Sequence, residues 1–139
     1  MAGSSIFLLL AILIVGILVF VAITISQKKS HAFDKENYQT AWLKIENSFV
    51  RDNKQSYQIA VINADKLLDK AMNEMGVPGK TMGERLKKVG AHFSDVNAVW
   101  RAHKIRNMIA HESDFDLEYT RAKNALAAFR QALKDLGAI

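Results

Sequence analysis

Residues 6 to 25 read IFLLLAILIVGILVFVAITI, 20 positions without a charge, and every Lys, Arg, Asp and Glu of the 139-residue chain lies at Lys28 or beyond. A helix of that length rises roughly 30 Å, the thickness of a bilayer's hydrocarbon core. The stretch therefore divides the chain into two objects: a transmembrane helix expected over residues 6–25, crossing once, and a polar C-terminal portion. A secretory signal peptide is the competing reading. It is disfavoured because Met1 to Ser5 holds no Lys or Arg, the apolar run exceeds the usual h-region, and no A-x-A site follows. Lys28 and Lys29 stand directly after the span, whereas its N-terminal flank carries no basic side chain. The positive-inside rule then puts the short N-terminus, residues 1–5, outside and the C-terminal domain in the cytoplasm of a single-pass cell-membrane protein. Gly16 is the lone glycine of the span, so no G-x-x-x-G packing motif exists and anchoring alone suffices as a reading.

Beyond a juxtamembrane linker at residues 26–34, too short for a flexible tether, residues 35–139 suffice for one small domain with one core. Pro78 is the one proline, and alternating Val/Ile/Thr-rich runs are absent, which argues against a sheet. The expected fold is all-α, the transmembrane helix followed by a four- to five-helix bundle. Tyr38, Trp42, Ile45 and Phe49 recur at spacings of four, three and four, giving a first helix over about 35–51. A second, about 54–75, offers Ile59, Ile62 or Val61, Leu67 or Leu68, Ala71 and Met75, and stops at Gly76. Thr81 and Glu84 form a capping-box pattern opening a short third helix, about 82–89, that ends at Gly90. Ser94 is placed to cap a fourth, about 95 to 109 or 111, with Val96, Val99, Trp100, His103 and Ile109 toward the core. A fifth starts near 114–116, where Glu112, Asp114, Asp116 and Glu118 complement the macrodipole, and runs to Gly137 on Leu117, Ala122 or Thr120, Ala125, Phe129, Leu133 and Leu136.

The formal charge of +5 is localised. Between residues 80 and 106, Lys80, Arg85, Lys87, Lys88, Arg101, Lys104 and Arg106 face Glu84 and Asp95, and the rest of the chain sums to zero. Lys80, Arg85, Lys87, Lys88, Arg101 and Lys104 are accordingly the candidate nucleic-acid-binding residues, since phosphate contacts are largely sequence-independent; anionic lipid would attract the same patch. A solvated helical face is the bland alternative. The chain has no cysteine, which excludes disulfides, thiolate zinc sites and cysteine nucleophiles. Gly79-Lys80-Thr81 ends like a P-loop, but Glu74 stands where the first glycine belongs and no strand precedes it. His111-Glu112 lacks the second histidine of H-E-x-x-H, and His103 and His111 would lie about 12 Å apart along one helix, too far to share a metal. No metal or other cofactor is expected. His31 and His92 fall in a linker and a helix junction, where exposure is the default.

What remains is the run from Arg101 to Glu112, RAHKIRNMIAHE. Arg106, Asn107 and His111 form R-N-x-x-x-H, which resembles the R-x(4-6)-H signature of the HEPN superfamily (higher eukaryotes and prokaryotes nucleotide-binding domains). The preceding order is also similar: a long helix containing Ala60 to Asp69 (AVINADKLLD), a glycine break, Thr81-Met-Gly-Glu-Arg-Leu, and then the Arg-His helix. The resemblance covers about residues 35 to 136. It implies an all-helical bundle, often a homodimer, and for some members metal-independent RNA endonuclease activity, with Arg106, Asn107 and His111 as the catalytic residues. The chemistry fits those residue types. Histidine exchanges protons near neutral pH and can assist attack of a ribose 2′-hydroxyl on phosphorus, while the arginine fork binds phosphate oxygens. Arg106 and His111 lie 140° apart on a regular helix, so a composite site would need two protomers; Asn107 and His111 share a face. His103, one turn before Asn107, either joins the site or is a core histidine satisfied by one hydrogen bond. On the structural alternative Arg106 pairs with Asp95 or Glu112 and His111 closes its helix. The competing function is a non-enzymatic, membrane-tethered protein-interaction module with its basic helices against anionic lipid.

Overall fold

A computed structural model describes residues 2–26 and 32–139; the linker residues 27–31, with Lys28, Lys29 and His31, lie outside the described residues, as does Met1. Two units result, residues 1–32 and 33–139. In the first, α1 (Ala2–Ser26) carries the apolar run. Its segment Gly3–Ile23 has a mean hydropathy of 3.5 with none of it buried, so the helix is long and apolar enough to cross a membrane. Apolar side chains cover every side of it, unlike the one-sided stripe of a surface helix.

The second unit is a five-helix bundle: α2 (Lys35–Ser48), α3 (Lys54–Glu74), α4 (Met82–Val89), α5 (Val96–His111) and α6 (Tyr119–Asp135), with a 3₁₀ turn at Gly90–His92. α3 is central, packing on α2, α4, α5 and α6, while α5 also packs on α6. Small residues make this possible: Ala60, Ala64 and Ala71 are fully buried and let the neighbouring helices approach from several sides. The core-facing set of α3 is Ser56, Tyr57, Ala60, Val61, Ala64, Asp65, Leu68, Ala71 and Met72. Ile59, expected in that stripe, is 45% exposed. Reading large apolar residues alone mislocates the stripe because alanines and one buried carboxylate hold its centre.

Local chemistry sets the helix ends. Asp34 caps α2 by accepting the Asn37 N–H. α2 stops at Ser48 rather than near residue 51, because Phe49 turns extended and its ring packs against Tyr57 and Tyr119 at 5.1 and 5.2 Å. α3 ends on Gly76, whose positive φ of 77° permits the Val77 N–H to reach Met72 O at 3.1 Å, closing the last turn. The capping box of α4 forms in modified shape. Thr81 Oγ1 accepts the Glu84 N–H at 3.2 Å, but the Glu84 carboxylate takes the Lys80 N–H at 2.7 Å. Asp95, not Ser94, caps α5, and Ser94 instead donates its N–H and hydroxyl to Asp135, tying the start of α5 to the end of α6. α6 begins at Tyr119, later than the acidic cluster suggests: Glu118 makes no side-chain cap, and Asp116 pairs with Lys54 at 2.6 Å.

Candidate functional site

The face α5 turns toward α3 and α4 carries His103, Arg106 and Asn107, spaced i, i+3 and i+4 so that one helical side presents all three. Opposite them on α3 stands Asp65, 3% exposed. Its Oδ1 lies 2.7 Å from His103 Nδ1 and its Oδ2 lies 3.5 Å from Arg106 Nε. Asn107 closes the circuit, with Nδ2 at 3.3 Å from His103 Nε2 and Oδ1 accepting from Arg106 Nη1 at 3.2 Å.

Donor and acceptor chemistry orients this ring of four. A buried carboxylate accepts, so Nδ1 of His103 donates; a neutral imidazole then accepts at Nε2, which suits the Asn107 amide N–H₂. The amide oxygen is left facing the guanidinium. Arg106 Nε is buried without a hydrogen bond, held near Asp65 by charge alone. The Nη2 hydrogens and the second Nη1 hydrogen of Arg106 have no acceptor among the described residues, so the guanidinium retains a free edge.

Two depressions meet at this ring. One, of about 430 Å³, is lined by Asp65, Asp69, Arg106, Lys66 and the N-terminal turn of α4. The other, of about 400 Å³, is lined by Trp100, Arg101 and Lys104, and His103 and Asn107 belong to both. α4 comes close here: a methyl group on Gly83 would lie 3.7 Å from His103 Nε2 and 3.8 Å from the Trp100 ring.

The residues expected at the site from sequence separate into three groups. Arg106 and Asn107 are brought together, as described. His111 is exposed at the last position of α5 and makes no hydrogen bond to Asn107, which instead bonds back to His103. Arg106 pairs with Asp65, a helix away, and not with Asp95 or Glu112.

Among the cationic candidates, Lys80, Lys87, Lys88, Arg101 and Lys104 are exposed, with Arg101 3.9 Å from Asp95. Arg85 departs from the patch. It is 9% exposed, donates from Nε and Nη2 to the two oxygens of Asp69 at 2.8 and 2.9 Å, and gives Nη1 to the Gly79 carbonyl. The Asp69 hydrogen bonds hold the guanidinium above its ordinary value against the opposing effect of burial. Gly79 allows this clamp: at φ 157°, a Cβ there would lie 3.0 Å from the Arg85 Cγ and backbone N, a crowding that glycine avoids. No group of three or more His, Asp or Glu side chains placed to hold a metal ion occurs among the described residues.

Asp65 and the central place of His103 escaped the motif. The available signal was the His103-x-x-Arg106-Asn107 spacing; nothing near Asp65 in sequence distinguishes it from a surface acid. Comparison with models of known families, with curated proteins and with solved structures gave no match.

Proposed function

We propose that the bundle is a HEPN-like, RNA-acting domain, a metal-independent endoribonuclease or RNA-binding module, held by α1 at the cytoplasmic face of the cell membrane. One observation carries the reading. A histidine with one ring nitrogen fixed by a buried carboxylate stands beside an arginine with a free guanidinium edge, and both border an open cleft. Ribonucleolytic chemistry uses those groups directly. His103 Nε2 exchanges Asn107 for the ribose 2′-hydroxyl and takes its proton as the 2′-oxygen bonds to phosphorus; the P–O5′ bond breaks and the 5′-oxygen is protonated by a second acid. Arg106 binds the non-bridging oxygens and stabilises the charge that grows on them. The exposed His111 of a second copy is the candidate second acid, in the homodimeric arrangement implied by the resemblance.

The test is cleavage of end-labelled single-stranded RNA in EDTA by the full chain in detergent micelles, with Arg106→Ala, His103→Ala and His111→Ala alongside. The expected result is a 2′,3′-cyclic phosphate product lost in the Arg106 and His103 variants and strongly reduced in the His111 variant; full activity there would remove His111 as the second acid. Folded wild-type protein that neither cleaves nor binds RNA overturns the reading.

A second reading, a membrane-tethered interaction module, is favoured by a different feature. A groove of about 630 Å³ between α5 and α6 is floored by Ala98, Ala102, Ala125 and Ala128 and edged by Lys104 and Arg121. Its small-residue floor and cationic rim match an acidic amphipathic helix of a protein partner. A synthetic helix of that kind that binds wild type but not a folded Ala128→Trp variant supports this reading.

A further inference from the structure

The chain has two tryptophans, and they are treated differently by the fold. Trp42 is buried and its indole N–H donates to Glu46 at 2.7 Å. Trp100 is half-buried, and its N–H finds no acceptor among the described residues. The buried residues of α5 are Val99 and Ala102, each one position before a member of the line that Trp100 forms with His103 and Asn107, so that line is rotated by about 100° from the most buried side of the helix. His103 and Asn107 on that line belong to the ring with Asp65 and Arg106, while Trp100 packs partly against the core and partly lines the depression beside the ring. Trp100 meets His103 edge-on at 6.1 Å and lines the second depression with Arg101 and Lys104, both exposed.

An aromatic face flanked by two cations, one step from a phosphate-binding arginine, is the pattern with which proteins hold an unpaired base beside its backbone. We infer that Trp100 is a stacking platform for an unpaired nucleobase, making single-stranded RNA the substrate class of the Arg106–His103 cleft. The inference rests on the RNA reading above. A base on Trp100 places its own phosphate toward Lys104 or Arg106, because His103 and Asn107 line both depressions. A duplex keeps its bases stacked internally and offers Trp100 nothing.

The experiment uses the full chain in micelles and two probes that resist cleavage, a 2′-O-methyl oligo(A) 12-mer and a 2′-O-methyl duplex of equal length. Affinity is read by anisotropy at fixed salt; stacking is read by indole emission in a Trp42→Phe chain, where Trp100 is the sole tryptophan. Expected are single-strand binding about tenfold tighter than duplex binding, quenching of Trp100 emission, and a roughly tenfold loss for single strand alone in Trp100→Leu, with Trp100→Phe close to wild type. Equal affinity for the two probes, or binding without quenching, overturns the platform while leaving the RNA reading intact. Absence of binding to either probe overturns both. Quenching is measured with Trp100 in place, so the outcome does not depend on how Trp100→Leu folds.

Discussion

Asp65 and His103, 38 positions apart in sequence, meet at 2.7 Å in the contact between α3 and α5, and every hydrogen-bonding role in the neighbouring ring follows from that contact. The carboxylate fixes which imidazole nitrogen donates. That choice orients Asn107, and Asn107 in turn orients Arg106.

Removing Asp65 should therefore cost both stability and activity. Asp65→Ala leaves the Arg106 charge without its buried partner and the His103 N–H without an acceptor, a loss of about 3 kcal/mol. Urea denaturation of the full chain reads the stability, and RNA cleavage should vanish with it. A variant as stable as wild type would show that the ring is not held by Asp65.

Arg85 and the Lys87/Lys88 pair should behave as opposites, although the sequence groups them in one patch. Reversing Lys87 and Lys88 to Glu should leave thermal stability unchanged and flatten the salt dependence of single-stranded RNA binding by about 1.4 in log–log slope, two phosphate contacts' worth. Arg85→Ala should lower stability by about 3 kcal/mol, because Asp69 and the Gly79 carbonyl lose a buried partner. An unchanged slope in the double reversal would remove those lysines from the interface.

The acid side of the stability curve should depend on Asp135. Partial burial pushes its carboxyl upward, but hydrogen bonds from the Ser94 N–H, Gln131 and the Ser94 hydroxyl outweigh this and hold it below the ordinary 3.8. A depressed folded value contributes stability above the unfolded value and loses it as pH falls through the folded one. Asp135→Asn should thus melt below wild type at pH 7, and the gap should close as pH falls through the depressed folded value of the carboxyl. A gap that stays constant with pH would assign the effect to packing instead of charge.

Membrane attachment through α1 predicts its own failure point. Leu9→Arg, Leu13→Arg and Ile17→Arg together add about 9 kcal/mol to insertion, against about 0.5 kcal/mol gained per remaining apolar residue. The triple variant should appear in the carbonate-soluble fraction, whereas wild type stays in the pellet. A variant that also stays in the pellet would mean that attachment does not depend on this helix.

The sequence alone determined what short-range physics controls. A charge-free run can be measured against a bilayer, Thr81 signals a cap through a side chain three residues from its partner, and Gly76 stops a helix by its own φ. These properties need no knowledge of the rest of the chain. The tertiary structure decided which polar residues act together. Asp65 replaced Asp95 and Glu112 as the partner of Arg106, His103 replaced His111 beside Asn107, and Arg85 was withdrawn from the basic face by Asp69. Each of those outcomes depends on the rotation and register with which helices distant in sequence pack on α3, or on which turn of α5 faces it. Those are set by the volumes of Ala60, Ala64 and their neighbours, a quantity that no local motif encodes.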